Sequence, residues 1–139
     1  MRRLALQMSL VFSAGALGGL INGLAVWFFG RIGFPEALGV SLAPALTVPW
    51  LYPRLVWGGI WGALFLIPLL RRRPFWRGVL YGFGPTLGML FWVFPLKLGK
   101  GTAGLDLGAL TPLFVILYNS IWGVVASYWL RLAGEERRP

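Results

Sequence analysis

The chain has 139 residues, of which 58% are hydrophobic and only 12% are charged, with a formal net charge of +9. Soluble domains carry about 25% charged residues, so this composition predicts one compact, all-α integral membrane domain. Cysteine and histidine are absent, which excludes disulfides, thiolate nucleophiles, Cys or His metal ligands, haem ligation by histidine and imidazole acid–base chemistry. We therefore expect no enzymatic activity, no cofactor and no metal site.

The first apolar stretch runs from Leu4 to Gly30 without a charged residue. As a helix it is long enough to cross a hydrocarbon core of about 30 Å, and we predict a span over residues 6–29. Gly15, Gly19 and Gly23 recur at four-residue spacing, which puts them on one face where another backbone can approach closely. The stretch exceeds the h-region of about 7–15 residues in a signal peptide, so we expect it to remain in the mature protein.

The next charge-poor region, residues 37–53, contains Pro44, Pro49 and Pro53, each of which removes a backbone donor and disturbs a continuous helix. Pro35 followed by Glu36 favours a short helix just before it. We predict either a short helix with extended chain at the membrane surface or a re-entrant segment buried against protein.

Three further uncharged stretches predict spans over residues 53–70, 78–96 and 110–130. The second span carries Gly58 and Gly62, and the third carries Gly84 and Gly88, so these glycines are also predicted to contact neighbouring helices. Pro85 in the third span should free the carbonyl of Tyr81 and bend the helix, with Thr86 as a local partner.

The basic residues predict the orientation of the protein. With four spans and the N-terminus inside, nine of the thirteen basic residues lie on the inner side, as the positive-inside rule requires: Arg2, Arg3, Arg71, Arg72, Arg73, Arg77, Arg131, Arg137 and Arg138. A five-span arrangement would put Arg71, Arg72 and Arg73 outside and leave almost no room to turn at Arg54. We therefore predict four spans with both termini in the cytoplasm, a layout typical of small proteins of the bacterial inner membrane.

The two halves of the chain resemble each other. Gly18–Gly33 aligns with Gly84–Gly99 at an offset of 66, and Ile60-Trp61-Gly62 matches Ile121-Trp122-Gly123. We interpret this as the duplication of a helical hairpin, with units 1–70 and 71–133 related by an axis along the membrane normal.

Few polar groups fall at membrane depth. Asn22, Thr86, Tyr118 and Asn119 are candidates for contacting a solute between helices or for bonding across the bundle, and we favour the structural role, worth about 1 kcal/mol each. The acids Glu36 and Asp106 fall in outer loops, which weighs against a proton-coupled pump. Lipid head groups are the expected contacts of five arginines: Arg54, Arg71, Arg72, Arg73 and Arg77.

The sequence favours a non-enzymatic protein that works by helix packing, as an accessory or assembly subunit of a larger membrane complex or as a homo-oligomer. Its expected partners are the lipid bilayer and other membrane subunits or copies of itself, with no nucleic acid. The alternative is a small-solute transporter or channel in which the bent third helix and the outer loops line a pathway.

Overall fold

The computed structural model describes residues 1–134, in which all regular structure is helical. The helices are α1 (Arg2–Arg31), α2 (Phe34–Ala37), α3 (Val48–Trp61), α4 (Pro74–Gly88) and α5 (Thr111–Leu132). A 3₁₀ turn, Gly62–Leu66, continues α3, a π-helical segment, Met89–Lys97, continues α4, and a further 3₁₀ turn covers Thr102–Leu107. The predicted inner-side residues Arg137 and Arg138 lie outside the described part of the chain.

Three helices are long and apolar enough to cross a membrane: Arg2–Arg31, Pro74–Lys97 and Thr111–Leu132. They correspond to the first, third and fourth predicted spans, and each begins and ends within a few residues of the predicted limits. The protein is therefore a helical membrane protein.

The helix in the region of the second predicted span begins at Val48 rather than at Pro53. The Thr47 side chain caps it by accepting a hydrogen bond of 3.3 Å from the backbone N–H of Trp50. Pro49 lies in the first turn, where backbone N–H groups have no helical partner in any case. Pro53 lies inside the helix, and residues 40–47 have no regular secondary structure.

The short helix predicted at Pro35 and Glu36 is confirmed, since α2 spans Phe34–Ala37 with the proline in its first turn. It leads to Val40, which is fully buried against Val26 and Phe114. The backbone N–H of Ser41 then donates to the carbonyl of Leu107 at 2.8 Å. The two long loops therefore pack on each other and cover one end of the helices.

The order in which residues meet gives the helix directions. Val11 and Gly15 of α1 pack against Gly62 and Gly58 respectively, so α3 runs antiparallel to α1 and towards its N-terminus. Gly18 meets Trp122 and Asn22 meets Tyr118, so α5 is antiparallel to α1 as well, whereas α4 is antiparallel to α5 and parallel to α1.

The bundle consequently has two different ends. The arginine end holds Arg2, Arg3, the connection 67–73 and Arg131, and the loop end holds the connections 32–47 and 98–110. The main helix contacts are those of α3 with α1, of α1 with α5, and of α5 with α4. The chain enters and leaves the described bundle at the arginine end.

Candidate functional site

The face of α1 that carries the glycine stripe lies directly on α3. A Cβ atom added at Gly15 would overlap the carbonyl of Gly58, and one added at Gly19 would overlap the carbonyl of Arg54. At Gly62 an added Cβ would overlap the Val11 carbonyl. Because van der Waals packing is the main attraction between helices in lipid, the absence of side chains lets the two backbones touch.

Gly23, Gly84 and Gly88 have a different role, because they face side chains rather than backbone. An added Cβ at Gly23 would lie 2.6 Å from Cδ1 of Leu51 and 3.3 Å from Cδ of Arg54. Added Cβ atoms at Gly84 and Gly88 would lie 3.4 and 3.2 Å from the ring of Trp61. These glycines make room for large side chains that reach across from α3.

The contact between α4 and α5 rests on glycines outside the predicted packing set. Gly78 and Gly123 face each other so closely that a Cβ atom added at either would overlap the backbone of the opposite helix. A Cβ atom added at Gly82 would lie 2.7 Å from the carbonyl oxygen of Asn119. The four-residue spacing of Gly78 and Gly82 is the sequence signal that marks this second helix contact.

Trp122 joins three helices, a role that sequence analysis missed. Its indole Nε1–H donates to the carbonyl of Gly15 in α1 at 3.0 Å and is shared with the carbonyl of Gly58 in α3 at 3.3 Å. The residue is 3% exposed and stands far from the ends of its helix, where interfacial tryptophans lie. That central position is the signal that could have distinguished it.

The buried polar groups form two clusters. In the first, the Asn22 side-chain amide donates to the Tyr118 backbone carbonyl at 2.8 Å, and its Oδ1 accepts from Nη1 of Arg54 at 2.9 Å. The Arg54 guanidinium also lies 4.3 Å from the centre of the Trp50 ring. This cluster, Asn22, Trp50, Arg54 and Tyr118, is called the Arg54 cluster below; it links α1, α3 and α5.

The second cluster lies between α4 and α5. The Thr86 hydroxyl donates to the carbonyl of Gly82 at 2.7 Å, and the Asn119 amide donates to the Thr86 hydroxyl at 3.2 Å. Thr86 therefore bonds to the carbonyl of Gly82 rather than to that of Tyr81, because its hydroxyl reaches the residue four positions earlier in its own helix.

The basic residues in the connection 67–73 and in the first turn of α4 differ in how deeply they are buried. Arg72 and Arg73 are exposed and Arg71 is half-buried, so these side chains lie at the surface of the arginine end. Arg77 is 2% exposed, donates from Nη2 to the carbonyl of Phe65 at 2.8 Å, and lies 5.1 Å from the centre of the Phe65 ring. Its guanidinium thus binds the end of the 3₁₀ turn inside the protein.

Tyr81 reinforces this connection. Its hydroxyl donates to the carbonyl of Ile67 and accepts from the backbone N–H of Leu69 at 3.3 Å, while its ring packs edge-on against Phe65 at 4.9 Å. Arg77 and Tyr81 together fix the irregular chain that links α3 to α4.

The Arg54 cluster is the strongest candidate for a functional site, because it places a half-buried charge where three helices meet. Within residues 1–134 the carboxylates are Glu36 and Asp106, both exposed in the loops, and Arg54 hydrogen-bonds to a neutral amide instead. The described residues also contain no group of three or more His, Cys, Asp or Glu that could hold a metal ion.

Comparisons of the chain with protein-family models, with curated proteins and with solved structures found no match.

Proposed function

We propose that this protein is a non-enzymatic, four-span protein of the bacterial inner membrane that acts by helix packing, as an accessory or assembly subunit of a larger membrane complex or as a homo-oligomer. Its partners are the lipid bilayer and the membrane helices of other subunits or of further copies, and nucleic acid is not among them. The proposal is supported by four features of the bundle.

The first feature is the length of α3 with its 3₁₀ continuation. The α-helical part has 14 residues and the 3₁₀ part has 5, which at about 1.5 and 2.0 Å per residue extend for about 31 Å. The hydrocarbon core is about 30 Å thick. This length supports α3 as the fourth span beside α1, α4 and α5.

The second feature is the internal correspondence between the hairpins. Gly18 aligns with Gly84, and Trp61 aligns with Trp122. An added Cβ at Gly18 would lie 2.9 Å from Cδ1 of Trp122, and one at Gly84 would lie 3.4 Å from Cζ3 of Trp61. Each tryptophan thus packs on the matching glycine of the other hairpin, which supports a duplication of units 1–70 and 71–133.

The third feature is the segregation of basic residues. The first residues of α1 and the connection between α3 and α4 put five arginines at one end of the bundle: Arg2, Arg3, Arg71, Arg72 and Arg73. Because basic residues are retained in the cytoplasm, this distribution supports an arginine end that faces the cytoplasm, with both termini on that side.

The observation that carries the proposal is an asymmetry between the two hairpins. Helices α1 and α5 pack along each other, but α3 meets α4 mainly through its final turns, where Trp61 and Leu64 contact Gly84 and Phe65 contacts Tyr81. The side of the bundle between α3 and α4 is therefore closed at the arginine end and open towards the loop end; it is called the open side below.

Exposed aromatic side chains follow these contacts on both sides, towards the loop end. Trp57 lies one turn before Trp61 on the same face of α3, and Phe91 and Trp92 lie in the π-helical segment that follows Gly88. These three side chains are 56, 57 and 65% exposed. We infer that a membrane helix of another subunit or of a second copy packs between these side chains. Helices α1 and α5 are each covered by the other hairpin, and the partner helix would cover α3 and α4 in the same way.

Because the chain has no cysteine, single introduced cysteines can test this. Trp57→Cys should cross-link to a partner or to a second copy in native membranes, whereas the matched control Phe28→Cys, an aromatic residue 51% exposed on α1, should not. Mass spectrometry after gentle detergent extraction identifies the partner. A monodisperse monomer with equal cross-linking at both positions would rule out the proposal.

The alternative, a transporter or channel for a small solute, is favoured by one observation on α4. This helix contains Pro85 and Pro95 and changes from α to π geometry after Gly88, and π segments are frequent at functional sites. Asn119 is half-buried and bonds to Thr86, two residues before Gly88, so it is the polar group that a solute passing along α4 would meet.

Flux into liposomes that contain the pure protein tests this alternative. Solute entry that falls on Asn119→Leu but persists with Ser13→Leu, a change on the exposed face of α1, would support a pathway along α4. The absence of flux for a panel of small solutes would eliminate it.

A further inference from the structure

Arg54 lies on the same face of α3 as Trp57 and Trp61. Four residues follow one another at spacings of four, three and four positions, which puts them along one side of a helix: Trp50, Arg54, Trp57 and Trp61. Trp61 is half-buried against Gly84 of α4, whereas Trp57, one turn nearer the loop end, is 56% exposed. Arg54 therefore lies next to the exposed part of this face.

The bundle holds the Arg54 side chain in place but uses only part of its guanidinium. Nη1 donates to Asn22 at 2.9 Å, the Trp50 ring lies 4.3 Å from the guanidinium carbon, and the space left by Gly23 holds Cδ. A guanidinium has five N–H donors. Arg54 is half-buried, and within residues 1–134 its Nε and Nη2 are not among the buried atoms that lack a partner. These two nitrogens therefore reach accessible surface.

The guanidinium is held beside the apolar length of α1. Helix α1 has 30 residues and is one of the helices long enough to cross a membrane. Asn22 lies about 30 Å along it from Arg2, in a helix about 45 Å long. Wherever a hydrocarbon core of about 30 Å falls along α1, Asn22 lies inside that core or at its boundary on the loop side. A charge in such a place is costly unless it is paired.

A helix that packs over Trp57 would also cover Arg54 and remove its remaining donors from water. Desolvation of a charge costs several kcal/mol unless an opposite charge compensates it. Within residues 1–134 the carboxylates are Glu36 and Asp106, both exposed at the loop end. The chain has four acidic residues, and none of them lies in a predicted span. A second copy of the chain would therefore bring no carboxylate on a membrane helix.

We propose that the membrane helix which packs along the open side belongs to a different protein and carries an aspartate or a glutamate opposite Arg54. This inference rests on the proposed function and specifies the chemistry of the partner. Nε and Nη2 of a guanidinium can donate two parallel hydrogen bonds to one carboxylate. The ion pair sets the position of the partner helix along α3, and Trp57 supplies apolar contact beside it.

A double-mutant cycle on the pair tests the proposal. Cross-linking from Trp57→Cys first identifies the partner, and its affinity for the full chain is then measured in lipid nanodiscs. Arg54→Gln in this chain, or the matching amide in place of the partner's acid, should each weaken binding about tenfold or more, as expected for a lost hydrogen bond between charged groups. The two changes together should weaken it little further, because either one alone breaks the same pair.

The matched control is Arg31→Gln, which removes an exposed arginine at the loop end and should leave the affinity unchanged. The change in the partner leaves this chain intact, so it decides the question even if Arg54→Gln does not fold. Unchanged affinity for the altered partner, a partner without an acid in its apolar segment, or a second copy of this chain would overturn the inference and leave the proposed function standing. If no partner cross-linked at all, both would fall.

Discussion

Trp122 connects α1, α3 and α5 through a single N–H group shared by the carbonyls of Gly15 and Gly58. Both carbonyls can accept because the glycines around them leave the backbone uncovered. In lipid, where apolar burial gives no attraction between helices, such close contacts and interhelical hydrogen bonds supply the stability of the bundle.

Replacing Trp122 by phenylalanine should destabilise the protein by about 1–2 kcal/mol, because it removes the shared hydrogen bond and leaves a small space in the core. Reversible unfolding in mixed micelles with increasing denaturing detergent measures this change. Trp76→Phe, at a residue 59% exposed, is the control and should have little effect. Equal stabilities of the two variants would contradict the role of Trp122.

Gly19 tests the close approach of α1 and α3. In Gly19→Leu the new side chain would overlap the carbonyl of Arg54, and the helices would have to move apart. We expect a loss of about 3 kcal/mol or more, at the upper end for atoms forced into a packed site. Ser13→Leu, on the exposed face of the same helix, is the control, and thermal unfolding in detergent distinguishes the two.

At the scale of the elements, the limits of α1, of α4 with its π-helical continuation, and of α5 were predictable to within a few residues. Charged residues such as Arg31 and Lys97 lie at or near their ends. The start of α3 was not predictable. Prolines normally weaken a helix, but Thr47 caps this one and Pro49 occupies its first turn. A cap is a local hydrogen bond, and periodicity and proline counting do not detect it.

The site was predictable in its components but not in its connections. Asn22 and Tyr118 were recognised as polar groups at membrane depth, and the spacing of the glycines gave the face of α1 that meets another helix. Their bonding to Arg54 depends on which helices are neighbours and on their relative register, and a single sequence fixes neither. The burial of Arg77 has the same origin, since it depends on the irregular turn after α3.

We predict that α3 crosses the membrane. Ala45→Cys before α3 and Leu69→Cys after it, both exposed, should react with a membrane-impermeant maleimide from opposite sides, because about 31 Å of helix separates them. Leu4→Cys, at the arginine end, should label from the same side as Leu69→Cys. Labelling of Ala45→Cys and Leu69→Cys from one side would mean that α3 does not span the membrane.

At the scale of the whole molecule, the two ends of the bundle are stabilised in different ways. At the loop end the two long connections are joined by backbone contacts: Ser41 bonds to Leu107, and Gly108 lies against Gly39. At the arginine end, by contrast, Arg77 and Tyr81 bind carbonyls of the short connection between α3 and α4. The open side between α3 and α4 lies towards the loop end, away from this fixed connection, so binding of the proposed partner there would leave the hairpins intact.

The distribution of charge between these ends leads to the last prediction. Replacing Arg71, Arg72 and Arg73 together by glutamine lowers the number of basic residues on the predicted inner side from nine to six, against four on the predicted outer side. Because basic residues in short connections set the orientation, we expect a mixture of orientations, detected as labelling of Leu69→Cys from both sides of the membrane. The matched triple change of Arg31, Lys97 and Lys100 to glutamine removes the same charge from the outer side and leaves nine against one, so it should keep a single orientation. If the inner triple variant also kept a single orientation, the arginines would not be what orients the protein, and the role of the arginine end would have to lie in the contacts of that surface instead.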